Sequence, residues 1–393
     1  MAVQTLDGLL AEGVRGQRVF VRADLNAPLR DGAVADDSRL RASLPTLQRL
    51  REAGARVIVA SHLGRPKGER VAALSLRPVA VRLAQLLGAG VAFCDECVGP
   101  HTRAAIDELG AGQVLLIENL RFHAGEERND PDFAKALAAL ADVYVNDAFG
   151  TAHRAHASTA GMVVHFERVA AGDLMDTELR HLQVVRRPNR PLLVILGGAK
   201  VSDKLAVLEA LAPHADVLAI GGAMAYTFLA ANGEATGKSL VEPDRFADAL
   251  AVQRAAQDAG RRLLLPSDPV VADRFEADAP TRVVTAIPDG SIGLDIGPAT
   301  ASRYAAEAAS AKTIFWNGPM GVFEMKPFAA GTRTVATAVA ESPATSVVGG
   351  GDSLAAIHQL GLEDRIDHLS TGGGASLEYV QGLALPGVAA LER

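Results

Sequence analysis

Short apolar runs alternate with stretches of helical period along nearly the whole chain, and this rhythm limits the folds open to it. The runs are RVFVRA (18–23), VIVAS (57–61), VAFC (91–94), VLLIE (114–118), VYVND (143–147), LLVIL (192–196), VLAIG (217–221), RLLLP (262–266), TIFWN (313–317) and SVVGG (346–350). Between most of them lie amphipathic segments such as RPVAVRLAQLLG and PDFAKALAALA. Near-continuous apolar runs of this length predict strands covered above and below. The alternation therefore predicts an α/β protein, with parallel sheets carrying helices on both faces. A chain of 393 residues fits two domains of ordinary size. The segment 172–191 divides them: DLMDTELRHLQVVRR has helical spacing, and the prolines of RRPNRP stop that helix before the Leu192 run. We expect an N-terminal domain over 1–171, a joining helix and linker over 172–191, a C-terminal domain over 192–375 and a tail over 376–393.

In the second half the runs close on glycine. Leu192 to Leu196 breaks into Gly197-Gly198-Ala199-Lys200-Val201-Ser202-Asp203-Lys204 before the helical stretch LAVLEALAPHA, and VLAIGGAM, TSVVGGGDS and DHLSTGGGAS repeat the construction. A buried strand that turns through glycines into a helix presents bare N–H groups and the positive end of a helix dipole, which suits phosphate. Only seven of the 39 Lys plus Arg are lysine, yet Lys200 and Lys204 share one of these turns. We read them as a pair one turn apart at a helix start, compact cations suited to phosphate oxygens. Four such turns along one carboxyl edge mark the place where open α/β folds bind nucleotides. Neither standard nucleotide fingerprint is present. In NGEATGKS (232–239) Asn232 replaces the first glycine of a P-loop, and a helix-like run precedes it instead of a strand, so the segment predicts a surface loop.

The first half carries different chemistry. RADLNAP places Arg22, Asp24 and Asn26 at alternate positions, on one face if the strand persists; Arg39 follows in DDSRL; SHLGRPKG supplies His62, Arg65 and Lys67; ENLRFHAGEE supplies Arg121 and His123; NDAFGTAHRAHAS supplies His153, Arg154 and His156. Positions just after the runs of a parallel sheet converge at one edge, so these residues predict a basic pocket on a chain of net charge -7. Arginine forks match phosphate and carboxylate bidentately. His123 and His156 are the weakest members and read equally well as satisfied structural histidines.

Bulk properties exclude several functions. An acidic chain without a basic stretch interleaved with aromatics has no nucleic-acid footprint. No run of about 18 apolar residues is present, and MAVQTLDGLLAEG has neither a basic n-region nor a cleavage site, so we expect a soluble, cytoplasmic protein without membrane contact. The two cysteines form Cys94-Asp95-Glu96-Cys97, with His101 four residues on. A zinc site lacks its further ligands at usable spacing, and the acids between the thiols would blunt redox activity, so reduced thiols at a strand end are expected.

Taken in order, VRADLNAPL, SHLGRPKG, ENLRFHAGEE, NDAFGTAHRAHAS, LGGAKVSDK, FWNGPMGVFE, GGGDS and STGGGASLEY resemble the signature blocks of the phosphoglycerate kinase family, spanning Val21 to Tyr379. The resemblance implies two Rossmann-like, three-layer domains joined by a hinge helix, with the tail returning to the N-terminal domain. It implies reversible phosphoryl transfer between 1,3-bisphosphoglycerate and MgADP, giving 3-phosphoglycerate and MgATP. By motif position it assigns Asp24, Asn26, Arg39, His62, Arg65, Arg121 and Arg154 to 3-phosphoglycerate. It assigns Lys204, Gly293, Glu324, Gly350, Gly351, Asp352 and Ser353 to the nucleotide, with Glu324 on the ribose and Asp352 on magnesium. Arg39 and Lys200 would face the phosphoryl group in flight, with Gly351 beside them. A monomer is expected. Leu25 stands where the family usually has Phe and Ser353 where Thr is common; neither change removes a group the chemistry needs.

The residues support this chemistry by themselves. Phosphoryl transfer needs aligned oxygens and positive charge around the group in flight more than covalent help. A carboxylate acceptor is already ionised at neutral pH, which accounts for the lack of a Ser-His-Asp set or a carboxylate pair. Two competing classes remain open to the architecture. A nicotinamide oxidoreductase would need GxGxxG and an acidic residue about 20 positions on. A nucleotide-sensing protein could lose the transfer residues, yet Arg39, Lys200 and Asp352 are all present.

Overall fold

The structure, a computed structural model, describes residues 3–392. The chain forms two compact units, one of residues up to Arg180 together with those from Ala384 onward, the other of His181–Leu383. The division falls inside the helix Asp173–Arg186. The helix Gly374–Val380 groups with the second unit, whereas the helix Pro386–Ala389 groups with the first.

In the first unit, β1 (Arg18–Ala23), β2 (Arg56–Ala60), β3 (Val91–Cys94), β4 (Val114–Ile117), β5 (Val143–Asp147) and β6 (Val169–Ala171) form one parallel sheet in the order β3-β4-β2-β1-β5-β6. Val19 lies opposite Val57 on one side and Val143 on the other. Local sequence sets the helices between them. Asp130 accepts from the N–H groups of Asp132 and Phe133 ahead of Pro131 at the start of Pro131–Ala138, and Gly88 closes Arg77–Leu87 in the left-handed conformation. Leu25, fully buried, joins Leu40, Leu47, Val57 and Leu83 in the core of this unit. The departure at Leu25 is thus a packing difference.

In the second unit, β7 (Leu192–Leu196), β8 (Val217–Ile220), β9 (Arg262–Leu264), β10 (Thr313–Asn317), β11 (Thr345–Gly349) and β12 (His368–Ser370) form a second parallel sheet in the order β9-β8-β7-β10-β11-β12. All five residues of β7 and of β10 are buried, which is why β7 reads as an unbroken apolar run and β10 as an apolar centre, Ile314 to Trp316. Trp316, Tyr304, Ile314 and Val335 centre this core. A small antiparallel sheet of Val270–Ala272, Arg282–Val283 and Ile292–Asp295 was not expected from the parallel pattern.

Strand order reverses direction at β1/β5 in the first sheet and at β7/β10 in the second. Crevices open beyond the carboxyl ends of strands at such switch points. Among the described residues, no helix is long and apolar enough to cross a membrane.

Candidate active site

At the carboxyl end of the first sheet, Asp24, Asn26, Arg39, His62, Arg65, Arg121 and Arg154 all line one cleft of about 200 Å³, with Gly64, Gly150, Thr151 and His153. Asp24 follows β1 directly and accepts from Arg39 Nη1, while its other oxygen, Oδ1, is buried with no partner. Asn26 Oδ1 accepts from the Gly64 N–H at 2.9 Å, which fixes the amide. Arg121 donates from Nη1 to Gly64 O at 2.8 Å and lies 3.3 Å from Glu127. Arg154 reaches His153 Nε2 at 3.2 Å, and Arg65 is exposed on the rim.

Arg22 does not line the cleft, because β1 ends at Ala23 and the alternation of Arg22, Asp24 and Asn26 ends with it. Its fully buried guanidinium donates to Ser158 Oγ at 2.8 Å and Ala23 O at 2.5 Å, and lies 3.3 Å from His62 Nδ1. Arginine can only donate, so Nδ1 of His62 accepts and Nε2 carries the hydrogen. Burial, then Arg22, Arg121 and Arg39, hold His62 well below the usual imidazole range, so it is a neutral donor at pH 7. His123 and His156 stand outside the cleft lining. His123 stacks on Phe133 at 4.8 Å, and His156 lies buried 3.9 Å from Glu126.

The second unit carries a larger cavity, about 510 Å³, at the switch point β7/β10. Gly198 and Ala199 follow β7, Gly222 and Ala223 follow β8, and Pro319, Gly321, Val322 and Glu324 follow β10; Asp352, Gly293 and Leu294 complete much of the wall. The loop after β7 is longer than expected. Helix begins only at Leu205, so Lys204 is its N-cap and Lys200 lies within the loop, not on a helical turn. Two contacts explain the delay: Val201 is fully buried, and Ser202 gives its N–H and hydroxyl to the Glu242 carboxylate at 3.1 and 2.5 Å. Burial lowers the Lys204 ammonium from its ordinary value, opposed by the nearby Asp352 and Asp203.

After β11 the chain turns at Gly350 into the helix Gly351–Leu360. Gly350 has φ +93, and a Cβ there would lie 2.9 Å from Asn317 Nδ2, so the turn requires glycine. Asp352 is exposed in the first helical turn. Ser353 is fully buried and its hydroxyl accepts from the Gly318 N–H at 2.6 Å. At the helix start Ser353 also has a backbone N–H to offer a phosphate. Gly293 donates its N–H to Ser239 Oγ at 2.9 Å.

The family model of phosphoglycerate kinase matches residues 10–383. The phosphoglycerate kinase of Acaryochloris marina is 52% identical over 399 aligned residues, covering all of both chains. That of Moorella thermoacetica is 55% identical over 381 residues, covering 96% of this chain and 97% of its own. The solved phosphoglycerate kinase structure from Coxiella burnetii superposes with a TM-score of 0.92 at 40% identity, covering 99% of each chain. The chain belongs to the phosphoglycerate kinase family. It is a glycolytic phosphotransferase with a carboxyl group as acceptor.

Within a phosphoglycerate kinase fold, several wall residues escaped the sequence analysis. Lys238 and Leu240 line the cavity, so the segment after Asn232 is part of its wall and not only a surface loop. Phe275, 55% exposed, lies in the loop before Arg282–Val283 and lines the same cavity. Asn317 ends β10 with Oδ1 buried and unpartnered. Its signal was visible: a polar residue closing an apolar run just before Gly318-Pro319. Cys94 and Cys97 are buried and not bonded to each other. Cys97 donates to Glu118 O at 3.0 Å, and burial pushes its thiol well above the ordinary range. Cys94, Asp95 and His101 place donor atoms within 4.8 Å of one another, but the Cys94 thiol is directed at Thr102 Oγ1 at 3.7 Å.

Proposed function

We propose that the first-unit cleft holds 3-phosphoglycerate and the second-unit cavity holds the adenine nucleotide. The observation that carries this reading is the convergence of nine charged or polar side chains from five separate segments on one cleft of about 200 Å³. Such a cleft suits a small, multiply charged anion. Arg65, Arg121 and Arg154 supply forks for phosphate or carboxylate oxygens. The buried Asp24 Oδ1 is an acceptor for a substrate hydroxyl, and the neutral His62 donates from Nε2.

In the second unit the apolar wall of Leu240, Leu294 and Val322 suits a base, Glu324 suits ribose hydroxyls, and the N–H groups from Gly350 to Ser353 suit phosphates. Magnesium bound with the nucleotide would neutralise phosphate charge. Asp352 fits it, since this ion commonly takes one or two carboxylates and completes its shell with phosphate oxygens and water. Arg39 and Lys200, with Gly351, act on the phosphoryl group in flight. Transfer requires reacting oxygens about 3 to 3.5 Å apart. We assign to the helix Asp173–Arg186 the hinge that lets donor and acceptor meet. The protein works as a cytoplasmic monomer in this reading. The test is a coupled assay with 3-phosphoglycerate and MgATP that reports the acyl phosphate. Turnover that needs both substrates and magnesium is expected; its absence overturns the reading.

A further inference from the structure

The wall strand Ile292–Asp295 ends in a carboxyl group that, unlike the three residues before it, does not line the cavity. Asp295 is 1% exposed, and no Lys, Arg or His forms an ion pair with it among the described residues. Its Oδ1 accepts from the Ile296 N–H at 2.9 Å and its Oδ2 from the Gly331 N–H at 2.7 Å. The second bond caps the helix Ala330–Glu341, whose own N-cap, Ala329, has no side chain able to do so.

The same carboxyl lies against the loop after β10. A Cβ on Gly321 would sit 2.2 Å from Asp295 Oδ1, so the loop backbone passes directly over the carboxyl. That loop carries Gly321, Val322 and Glu324 into the cavity wall. Its other ties converge on the same place: Val322 N–H donates to Leu294 O at 2.9 Å, and Met320 N–H to Thr332 Oγ1 at 3.0 Å, next to Gly331. A buried acid costs stability unless its bonds repay the desolvation. Here those bonds hold two backbone segments in register behind one wall.

We infer that Asp295 is a positioning residue for nucleotide binding: its carboxylate seats the Gly318–Glu324 loop against the start of the helix Ala330–Glu341 and so places Val322 and Glu324. This inference rests on the nucleotide reading of the cavity. Asp295 touches neither substrate; it acts through the loop.

The test is steady-state kinetics and calorimetric binding on Asp295→Asn, which keeps the size but turns an N–H donor toward one of the two backbone N–H groups. MgATP KM and Kd should rise about tenfold, with 3-phosphoglycerate KM within about twofold of the parent, because only the nucleotide wall has shifted. Gly321→Ala disturbs the same contact from the loop side and should give the same split, so it carries the test where Asp295→Asn does not fold. Unchanged nucleotide affinity in the folded variant, or equal rises in both KM values, overturns the inference. Glu324→Ala is the control: if it too leaves nucleotide affinity unchanged, the nucleotide reading of the cavity falls and this inference with it.

Discussion

The crevice at β1/β5 is walled by charged side chains that the fold braces from behind, whereas the crevice at β7/β10 is walled by glycines and aliphatic groups. In the first, Arg22 fixes His62, Arg39 bonds Asp24, and the Gly64 peptide is held by Asn26 on one side and Arg121 on the other. In the second, Gly198, Gly222, Gly293 and Gly321 bring bare backbone to the wall, and Lys238, Glu324 and Asp352 are its charged members. On the proposed division of ligands, one sheet geometry serves two recognition problems. A small anion presents little but charge, so countercharges must be held in fixed directions. A nucleotide presents an apolar base and a chain of phosphates, so an apolar slot and a helix start do more than further arginines would.

The largest effect expected on either side comes from the groups assigned to the phosphoryl in flight. Arg39→Ala and Lys200→Ala should each lower kcat by about 100-fold or more, since each removes charge that the transition state needs more than the ground state does. Single-turnover kinetics at saturating substrates would check this. A kcat within about threefold of the parent would remove that residue from the transfer step.

Smaller, and aimed at the comparison itself, is the split in binding. Arg65→Ala and Arg154→Ala should raise 3-phosphoglycerate KM about tenfold with MgATP KM unchanged, and Glu324→Ala should do the reverse. Titration of each variant with each substrate tests it. A crossed pattern would show that the two crevices do not divide the ligands between them.

The two crevices were not equally legible in the sequence. Every cleft residue proposed in the first unit closes or shortly follows an apolar run, or starts the next helix, and a parallel sheet gathers such positions whatever the loops do. The cavity of the second unit depends on pieces with no period to read. Leu240 and Phe275 sit in loops, and Gly293 lies on a four-residue strand of a small antiparallel sheet whose other members are two and three residues long. Strands that short leave no alternation to detect. Lys200 and Lys204 show the same limit differently. Glycines and lysines announced a phosphate-suited turn, but the Ser202 bonds to Glu242, distant in sequence, decide where the helix starts. Arg22 shows the converse: its position in a charged motif suggested the pocket, and burial made it a brace.

The smallest effect is in stability against pH, where two buried groups, His156 in the first unit and Asp295 in the second, should pull in opposite directions. Burial first, then Arg121, Arg22 and Arg154, lower His156 from 6.5 to about 4. The unfolded chain takes up that proton below pH 6.5 while the folded protein refuses it, so stability is lost as pH falls from 6.5 toward 4. Burial raises Asp295 from 3.8 to about 7 against its two backbone hydrogen bonds. There the folded protein keeps a proton that the unfolded chain releases, so stability is lost as pH rises from 3.8 toward 7. Asp147 in the first unit, also raised to about 7 by burial, adds to the second trend and masks the contrast in the parent protein. Single variants expose it. Between pH 5 and pH 7.5, His156→Asn should gain less stability, or lose more, than the parent, while Asp295→Asn should gain more, each by on the order of 1 kcal/mol. Urea unfolding of the three proteins at both pH values gives the comparison directly. If His156→Asn tracks the parent, the histidine is not excluded from protonation in the folded state, and the arginines around the first cleft are better screened than their burial implies.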